Sequence, residues 1–198
     1  MRRTLLLPAA LLLAACGDRT EPGETAAAPA VDSAIATMPG DPTDNAAVAL
    51  ATGANAAVRD ANGRELGTLT IADSPQGIVV TGTLRGLPPG TLALHFHTVG
   101  QCEPPFESAG GHWNPTGRQH GTENPQGPHF GDMPNLTVGA DSTAQIQAAT
   151  PGGALSGENA LLDADGAAIM LHAGPDDYRT DPAGNAGARI ACGVVMRQ

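Results

Sequence analysis

The sequence predicts an all-β sandwich or barrel for the folded part of the chain. Short runs of alternating or β-branched residues recur along it, and none has a convincing helical period. These runs are LGTLTI at 66–71, GIVVTGTL at 77–84, TAQIQA at 143–148, AAIML at 167–171 and RIACGVVM at 189–196. Turn-forming Asn, Asp, Gly and Pro residues separate them, at 62–63, 88–90, 151–153 and 165–166. Because aromatic residues make up only 3% of the chain, the core must rest on Leu, Val, Ile and Ala.

Residues 1–15 are predicted to be an export signal. Arg2 and Arg3 precede an apolar run at 5–13 that is too short to span a bilayer as a permanent helix. The residues before Cys16 resemble the lipobox of bacterial lipoproteins, in which the signal is removed and the new N-terminal cysteine is lipidated. The alternative is an ordinary secretory signal that leaves Cys16 as a spare thiol. We favour a lipoprotein on the periplasmic or outer face of a bacterial membrane, because a free thiol is a liability in an oxidising compartment.

Residues 16–52 are predicted to be a flexible tether. After Cys16 the segment is mainly Ala, Pro, Thr, Asp and Glu, so it cannot bury enough apolar surface to offset the entropy of ordering. Residues 53–198 are enough for one core and one domain.

All six histidines lie between His95 and His172, in an order typical of a metal site. His95 and His97 alternate along a predicted strand and therefore share one face, while Leu94 and Phe96 lie on the other. Two imidazoles side by side make half of a metal site.

Further candidate ligands lie in the Gly- and Pro-rich stretch 110–132, where a loop can fold around an ion. Imidazole and carboxylate suit zinc and copper better than calcium or magnesium. The six histidines and Asp132 exceed the four ligands of a tetrahedral zinc, which suggests two ions or a shared ligand. Any single histidine is more readily explained as a surface or hydrogen-bonded residue, but the set as a whole favours metal.

Four motifs resemble the copper/zinc superoxide dismutase family. They are LHFH at 94–97, GGHWNP at 110–115, the spacing of the histidines from 112 to 129 with Asp132, and GNAGARIACGVV at 184–195. The resemblance runs from about residue 53 to the C-terminus. It implies an eight-stranded Greek-key β-barrel, an immunoglobulin-like sandwich, with long metal-binding loops.

The resemblance also implies the ligands. Copper would be held by His95, His97, His112 and His172, and zinc by His112, His120, His129 and Asp132. His112 would then be an imidazolate that bridges the two metals.

Two further features of the family have counterparts in this chain. A carboxylate that hydrogen-bonds one copper-site and one zinc-site histidine matches Asp176, with Asp177 as the competing assignment. Cys102 and Cys192 match an intrachain disulfide, which would stabilise the fold by about 4 to 5 kcal/mol in the chain-entropy model.

The activity implied is dismutation of superoxide to dioxygen and hydrogen peroxide, with copper cycling between two oxidation states and zinc structural. His112 would help to deliver a proton to the forming peroxide. Arg189 matches the family's active-site arginine, whose permanent charge would receive and orient the small anion.

The net charge of −10 and the absence of lysine mean that attraction of an anion must be local. In the loop between 176 and 189, Arg179 is the only other basic residue, and it is either a guidance residue or the partner of Asp177 or Asp181 in a surface salt bridge. The acidic composition argues against binding of nucleic acid or anionic lipid by the domain itself.

Other functions stay open at this stage. The domain could store or deliver copper or zinc, or it could be an inactive interaction module, although relatives that deliver copper usually lose ligands that this chain keeps. The sequence does not decide between a monomer and a homodimer, nor between the inner and the outer membrane.

Overall fold

The computed structural model describes residues 53–198, so the predicted signal, tether and lipidation site at Cys16 lie outside the described residues. Strands dominate this range, and its one helical element is a single 3-10 turn at Glu107–Ala109. The strands are β1 Gly53–Asp60, β2 Glu65–Ser74, β3 Gly77–Arg85, β4 Gly90–Leu92, β5 Leu94–His97, β6 Leu136–Val138, β7 Thr143–Ala149, β8 Ala168–His172, β9 Arg189–Val194 and β10 Met196–Arg197. Within residues 53–198, no helix has the length and hydropathy needed to cross a bilayer.

Eight of the strands form one antiparallel sheet in the order β5-β8-β9-β1-β2-β3-β7, with β10 paired to β1. Strands β4 and β6 form a separate two-stranded sheet. The all-β prediction is confirmed, and each of the five predicted runs overlaps a strand. The run at 189–196 forms two strands: β9 pairs with β8 and with the C-terminal end of β1, whereas β10 pairs with the N-terminal end of β1.

One hydrophobic core lies inside the curled sheet. Alternate residues of β1 point into it, so Ala54, Ala56 and Val58 are fully buried while their neighbours are more exposed. The core is built mainly from Leu, Ile, Val and Ala, as the composition predicts.

Strand β5 is buried on both faces. Leu94 and Phe96 belong to the core, whereas His95 and His97 point away from it and are equally buried. A strand that carries imidazoles on a covered face must have other chain segments over that face.

A disulfide joins Cys102 to Cys192, with the two Cα atoms 5.6 Å apart. It ties the loop that follows β5 to the middle of β9. Phe106, Ala109 and Met170 pack beside this disulfide in a second buried cluster. The disulfide thereby holds the backbone of this loop, with its carbonyl groups, next to β9.

Replacing both Cys102 and Cys192 by serine should lower the free energy of unfolding of the metal-free protein by roughly 2–5 kcal/mol. The unfolded chain would regain the freedom of a loop that spans 90 residues. Urea denaturation followed by circular dichroism measures the change. Reduced wild-type protein is the control and should have the same urea midpoint as the double variant. Equal midpoints for oxidised wild type and the variant would contradict the prediction.

Candidate metal centre

Strand β5 lies at the edge of the large sheet, and the loop at 110–132 covers its free edge. The Phe96 N–H donates to the Gly131 carbonyl at 3.0 Å, and the Trp113 N–H donates to the Phe96 carbonyl at 2.8 Å. Isolated bridges pair His97 with His112 and His95 with Asp132. The backbone of the loop therefore brings its histidines to those of β5.

The remaining histidine of the cluster comes from the other side of β5. His172 ends β8, at a register shift between Leu171 and His172 where β8 meets β9. Irregular pairing of this kind re-aims a side chain. Its cross-strand partner at this point is Arg189.

Four imidazole nitrogens form the first group of donor atoms. They are Nδ1 of His95 and Nε2 of His97, His112 and His172, all buried and without a hydrogen-bond partner in residues 53–198. One atom from each of these side chains lies within 4.8 Å of the others. Buried polar atoms without partners are costly, so four that converge indicate a site for a cation.

Hydrogen bonds on the other ring nitrogen fix which nitrogen is left free. His97 Nδ1 lies 2.9 Å from the Gly110 carbonyl, and His172 Nδ1 lies 3.2 Å from the Gly187 carbonyl. A carbonyl oxygen only accepts, so both Nδ1 atoms carry the proton and both Nε2 atoms present a lone pair.

A second group of donor atoms lies on the opposite side of His112. Asp132 Oδ1 is 2.9 Å from His112 Nδ1, 3.0 Å from His120 Nδ1 and 3.4 Å from His129 Nδ1. The other oxygen of this carboxylate accepts from the backbone N–H groups of Gly121 and His129. Three imidazoles and one carboxylate suit a tetrahedral zinc ion, and His112 presents one nitrogen to each group.

Asp176 links the two groups. Its Oδ2 accepts from His95 Nε2 at 2.8 Å, and its Oδ1 accepts from His120 Nε2 at 2.9 Å. Asp177 is exposed instead and bonds to Thr180 and Asn185. Of the two carboxylates considered from the sequence, Asp176 is the one placed between the histidines.

Burial keeps the first group neutral. Desolvation lowers the pKa of His97 to about 2, of His95 to about 3 and of His172 to about 4, and it also lowers the pKa of His112. Neutral imidazoles are the form that binds metal ions.

His120 behaves in the opposite way. Burial disfavours its protonation, but hydrogen bonds to the carboxylates of Asp132 and Asp176 outweigh that penalty and raise its pKa to about 9. Burial likewise opposes ionisation of both carboxyl groups, and hydrogen bonds from the histidines still bring their pKa values well below the usual range. At neutral pH the two ionised carboxylates, Asp132 and Asp176, exceed the one positive charge of His120, so the net charge beside the second group is negative and favours a cation.

Arg189 is held beside the first group by two backbone oxygens. Its Nη1 donates to the Phe106 carbonyl at 2.6 Å, and its Nη2 donates to the Gly110 carbonyl at 2.7 Å. It lines a cavity of about 450 Å³ together with His97, His112 and His172. A small molecule in this cavity would meet both the guanidinium and histidines of the first group.

The predicted salt-bridge partners of Arg179 are wrong. Arg179 pairs with Glu123, not with Asp177 or Asp181. The Asp177 side chain accepts a hydrogen bond from the Thr180 hydroxyl instead, and Asp181 accepts from the His120 backbone N–H at 2.6 Å. Arg179 is also absent from the residues that line the cavity.

Two structural requirements were not predicted from the sequence. Gly184 has φ +61°, and a Cβ there would lie 1.9 Å from Asp176 Oδ1, so glycine is needed for the carboxylate to fit. The Phe106 and Gly110 carbonyls that hold Arg189 are backbone groups, which leave no residue-type signal. In the sequence GPDDYRTDPAGN, Gly184 indicates a turn, but the sequence does not show that this glycine contacts the Asp176 carboxylate.

The free energy of unfolding of the metal-free protein should fall as pH is lowered from 6.5 to 4. The buried His95, His97 and His172 of the first group stay neutral in the folded state, whereas unfolded histidines take up protons below about 6.5. Asp132 and Asp176 add a loss of the same sign below about 4, because only the unfolded carboxylates protonate there. His120 has the opposite effect on stability. Its raised pKa stabilises the folded state at low pH, and this stabilisation is lost as pH rises from 6.5 through 9.

Urea titrations across this pH range test the prediction. The upper end of the range, about pH 6.5, is the usual pKa of histidine. A metal-free protein that is more stable at pH 4.5 than at about pH 6.5 would contradict the prediction.

Comparison with known proteins places this arrangement in a family. The family model described as "Copper/zinc superoxide dismutase (SODC)" matches residues 65–195. "Superoxide dismutase [Cu-Zn] 2" of Aquifex aeolicus is 44% identical over 146 residues, which cover 72% of this chain and 85% of that protein. "Superoxide dismutase [Cu-Zn]" of Caulobacter vibrioides is 43% identical over 147 residues, or 72% and 84% of the two chains.

Solved structures give the same result. A double mutant of a superoxide dismutase-like protein from Bacillus subtilis has a TM-score of 0.69 at 41% identity, covering 72% of this chain and 96% of that one. The Cu/Zn superoxide dismutase from Brucella abortus has a TM-score of 0.58 at 28% identity, covering 72% and 98%. With the family model and these relatives in agreement, this chain belongs to the copper/zinc superoxide dismutase family.

Proposed function

We propose that the chain converts superoxide to dioxygen and hydrogen peroxide at the metal centre described above. The observation that carries this proposal is the set of four buried, unpartnered imidazole nitrogens next to the cavity that Arg189 lines. Copper and zinc are the cofactors of the family to which the chain belongs. Bound copper would supply the redox chemistry by taking an electron from one superoxide and returning it to a second, while zinc, with its filled d shell, has no redox role.

The donor atoms divide between the two metals. We assign copper to His95 Nδ1 and to Nε2 of His97, His112 and His172, because those four atoms are free and converge. We assign zinc to Nδ1 of His112, His120 and His129 and to Asp132 Oδ1. All these side chains are buried, so the ligands are held before a metal arrives.

His112 is shared between the two assignments. Its Nδ1 lies 2.9 Å from Asp132 Oδ1 and its Nε2 is one of the four unpartnered nitrogens, so a deprotonated ring would offer one nitrogen to each metal. If Nε2 were not bound to copper, it would be free to hold a proton and to donate it to the peroxide product. The reaction consumes two protons for each pair of superoxide ions, so a proton donor at this position has a role.

Arg189 would hold the substrate anion. Two of its five N–H donors are occupied by the Phe106 and Gly110 carbonyls, which fix the plane of the guanidinium. The remaining donors are available to an oxygen anion. The Gly110 carbonyl also accepts from His97 Nδ1, so one backbone oxygen sets the position of both a copper ligand and Arg189.

We also propose that the mature protein is an exported lipoprotein anchored through Cys16. The lipobox-like sequence supports this, as does the disulfide, because such bonds persist in oxidising compartments. Mass spectrometry of the N-terminal peptide from membranes tests it. A lipid-modified Cys16 is expected, and an unmodified peptide that begins downstream of Cys16 would contradict the proposal.

Purified protein loaded with copper and zinc should dismutate superoxide rapidly at about one copper and one zinc per chain, the stoichiometry of the two four-ligand groups. Stopped-flow decay of superoxide and metal analysis of the same sample measure it. Full loading without turnover above that of free copper would contradict the proposal and favour a metal store.

Arg189→Ala provides the internal control. Loss of the guanidinium should lower the catalytic rate by about tenfold or more and weaken its dependence on salt, because local steering falls with ionic strength. Metal content should not change, since Arg189 is not a ligand. An unchanged rate at every ionic strength would remove Arg189 from the mechanism.

Gly184→Ala should weaken zinc binding by about 10- to 100-fold, because the added methyl group displaces Asp176 from His95 and His120. Competition with a chromophoric chelator measures the affinity. Gly117→Ala is the matched control, since Gly117 has a similar φ of +64° but no atom within 4 Å of the added Cβ. Equal zinc affinities for the two variants would contradict the role given to Asp176.

A further inference from the structure

The cavity beside the metal centre has a second arginine in its wall. Arg118 lines it from the loop at 110–132, whereas Arg189 lines it from β9. The two guanidinium groups therefore come from separate parts of the chain. Asp181 is the one acidic residue among the described residues that line this cavity.

Arg118 differs from the other arginines in the described range. The rest each make a hydrogen bond or salt bridge with a side chain or carbonyl: Arg59, Arg64, Arg85, Arg179, Arg189 and Arg197. Within residues 53–198, no acceptor pairs with the Arg118 guanidinium, and the residue is exposed. Its charge is therefore not offset by a partner in this range.

The backbone of Arg118 is nevertheless held in place. Its N–H donates to Asn114 Oδ1 at 3.0 Å, and its carbonyl accepts from Asn114 Nδ2 at 2.8 Å. Gly117 precedes it with φ +64°, which closes the turn. The side chain is thus anchored at the cavity wall while its charged end stays free.

Asp181, the acidic residue of the cavity wall, bonds to groups other than Arg118. Its Oδ1 accepts from the His120 backbone N–H at 2.6 Å and lies 3.8 Å from His129 Nε2. The carboxylate is therefore engaged with the zinc-side loop. The side chains that line the cavity carry two formal positive charges against one negative, in a chain whose net charge is −10.

We propose that Arg118 is a second anion-guiding residue, which draws superoxide into the cavity and passes it to Arg189. This inference rests on the proposed function. A cationic patch inside an acidic protein acts only at short range, and a recessed cavity concentrates its field. Arg118 is a positioning residue for the encounter and takes no part in the chemistry at the metals.

The test compares Arg118→Gln with Arg179→Gln in protein loaded with copper and zinc. Arg179 is the matched control because it is also an exposed arginine, but it pairs with Glu123 and does not line the cavity. We expect Arg118→Gln to lower kcat/KM roughly two- to fivefold at about 0.01 M ionic strength, with the difference vanishing near 0.15 M. Arg118→Glu should lower it further, Arg118→Lys should retain most of it, and Arg179→Gln should match wild type.

A binding measurement separates this inference from the activity itself. Azide is a small anion that binds Cu²⁺, and titration of its absorption band gives an affinity without turnover. Arg118→Gln should weaken azide binding at low ionic strength by a factor similar to the loss in kcat/KM, with copper and zinc contents unchanged. If the wild type proves inactive, the azide titration still tests Arg118.

Three outcomes would overturn the inference. The first is that Arg118→Gln equals wild type in azide affinity at low ionic strength. The second is a loss of the same size at every ionic strength together with loss of metal, which would indicate a structural role. The third is an equal loss in Arg179→Gln, which would show that only the net charge of the protein matters.

Discussion

The site depends on hydrogen bonds that histidine ring N–H groups donate to protein oxygens. In a buried cluster each imidazole has two nitrogens to satisfy, and an oxygen acceptor on one of them leaves the lone pair of the other for a metal. The carbonyls of Gly110 and Gly187 do this for His97 and His172, and Asp176 does it for His95 and His120. In the described part of the chain, His112 has no such acceptor outside the ligand groups, so each of its nitrogens is left for one of them.

The fold supplies those oxygens from segments far apart in the chain. Strand β5 offers one covered face and one free edge, and the loop at 110–132 pairs with that edge. The disulfide holds the loop after β5 against β9, where the Phe106 and Gly110 carbonyls reach Arg189. The proposed copper ligand His97 and the proposed anion-binding Arg189 therefore share one backbone acceptor, the Gly110 carbonyl.

Sequence patterns predicted the parts of this structure that residue type determines. Strand alternation placed His95 and His97 on one face, and the family motifs singled out Asp176 and the cysteine pair. Short strands such as β4 and β6 have no pattern of their own, since pairing with each other defines them. The partner of Arg179, the contact of Gly184 with Asp176 and the unpaired state of Arg118 depend on how loops meet in space, and no local sequence signal carries that information.

We propose that one imidazole ring, that of His112, separates two metal sites of different composition. Anomalous diffraction at the copper and zinc absorption edges, from crystals of the doubly loaded protein, tests this arrangement. Two peaks are expected, copper next to His112 Nε2 and zinc next to His112 Nδ1 with Asp132 as a ligand. A single peak, or copper on the Asp132 side of the ring, would contradict it.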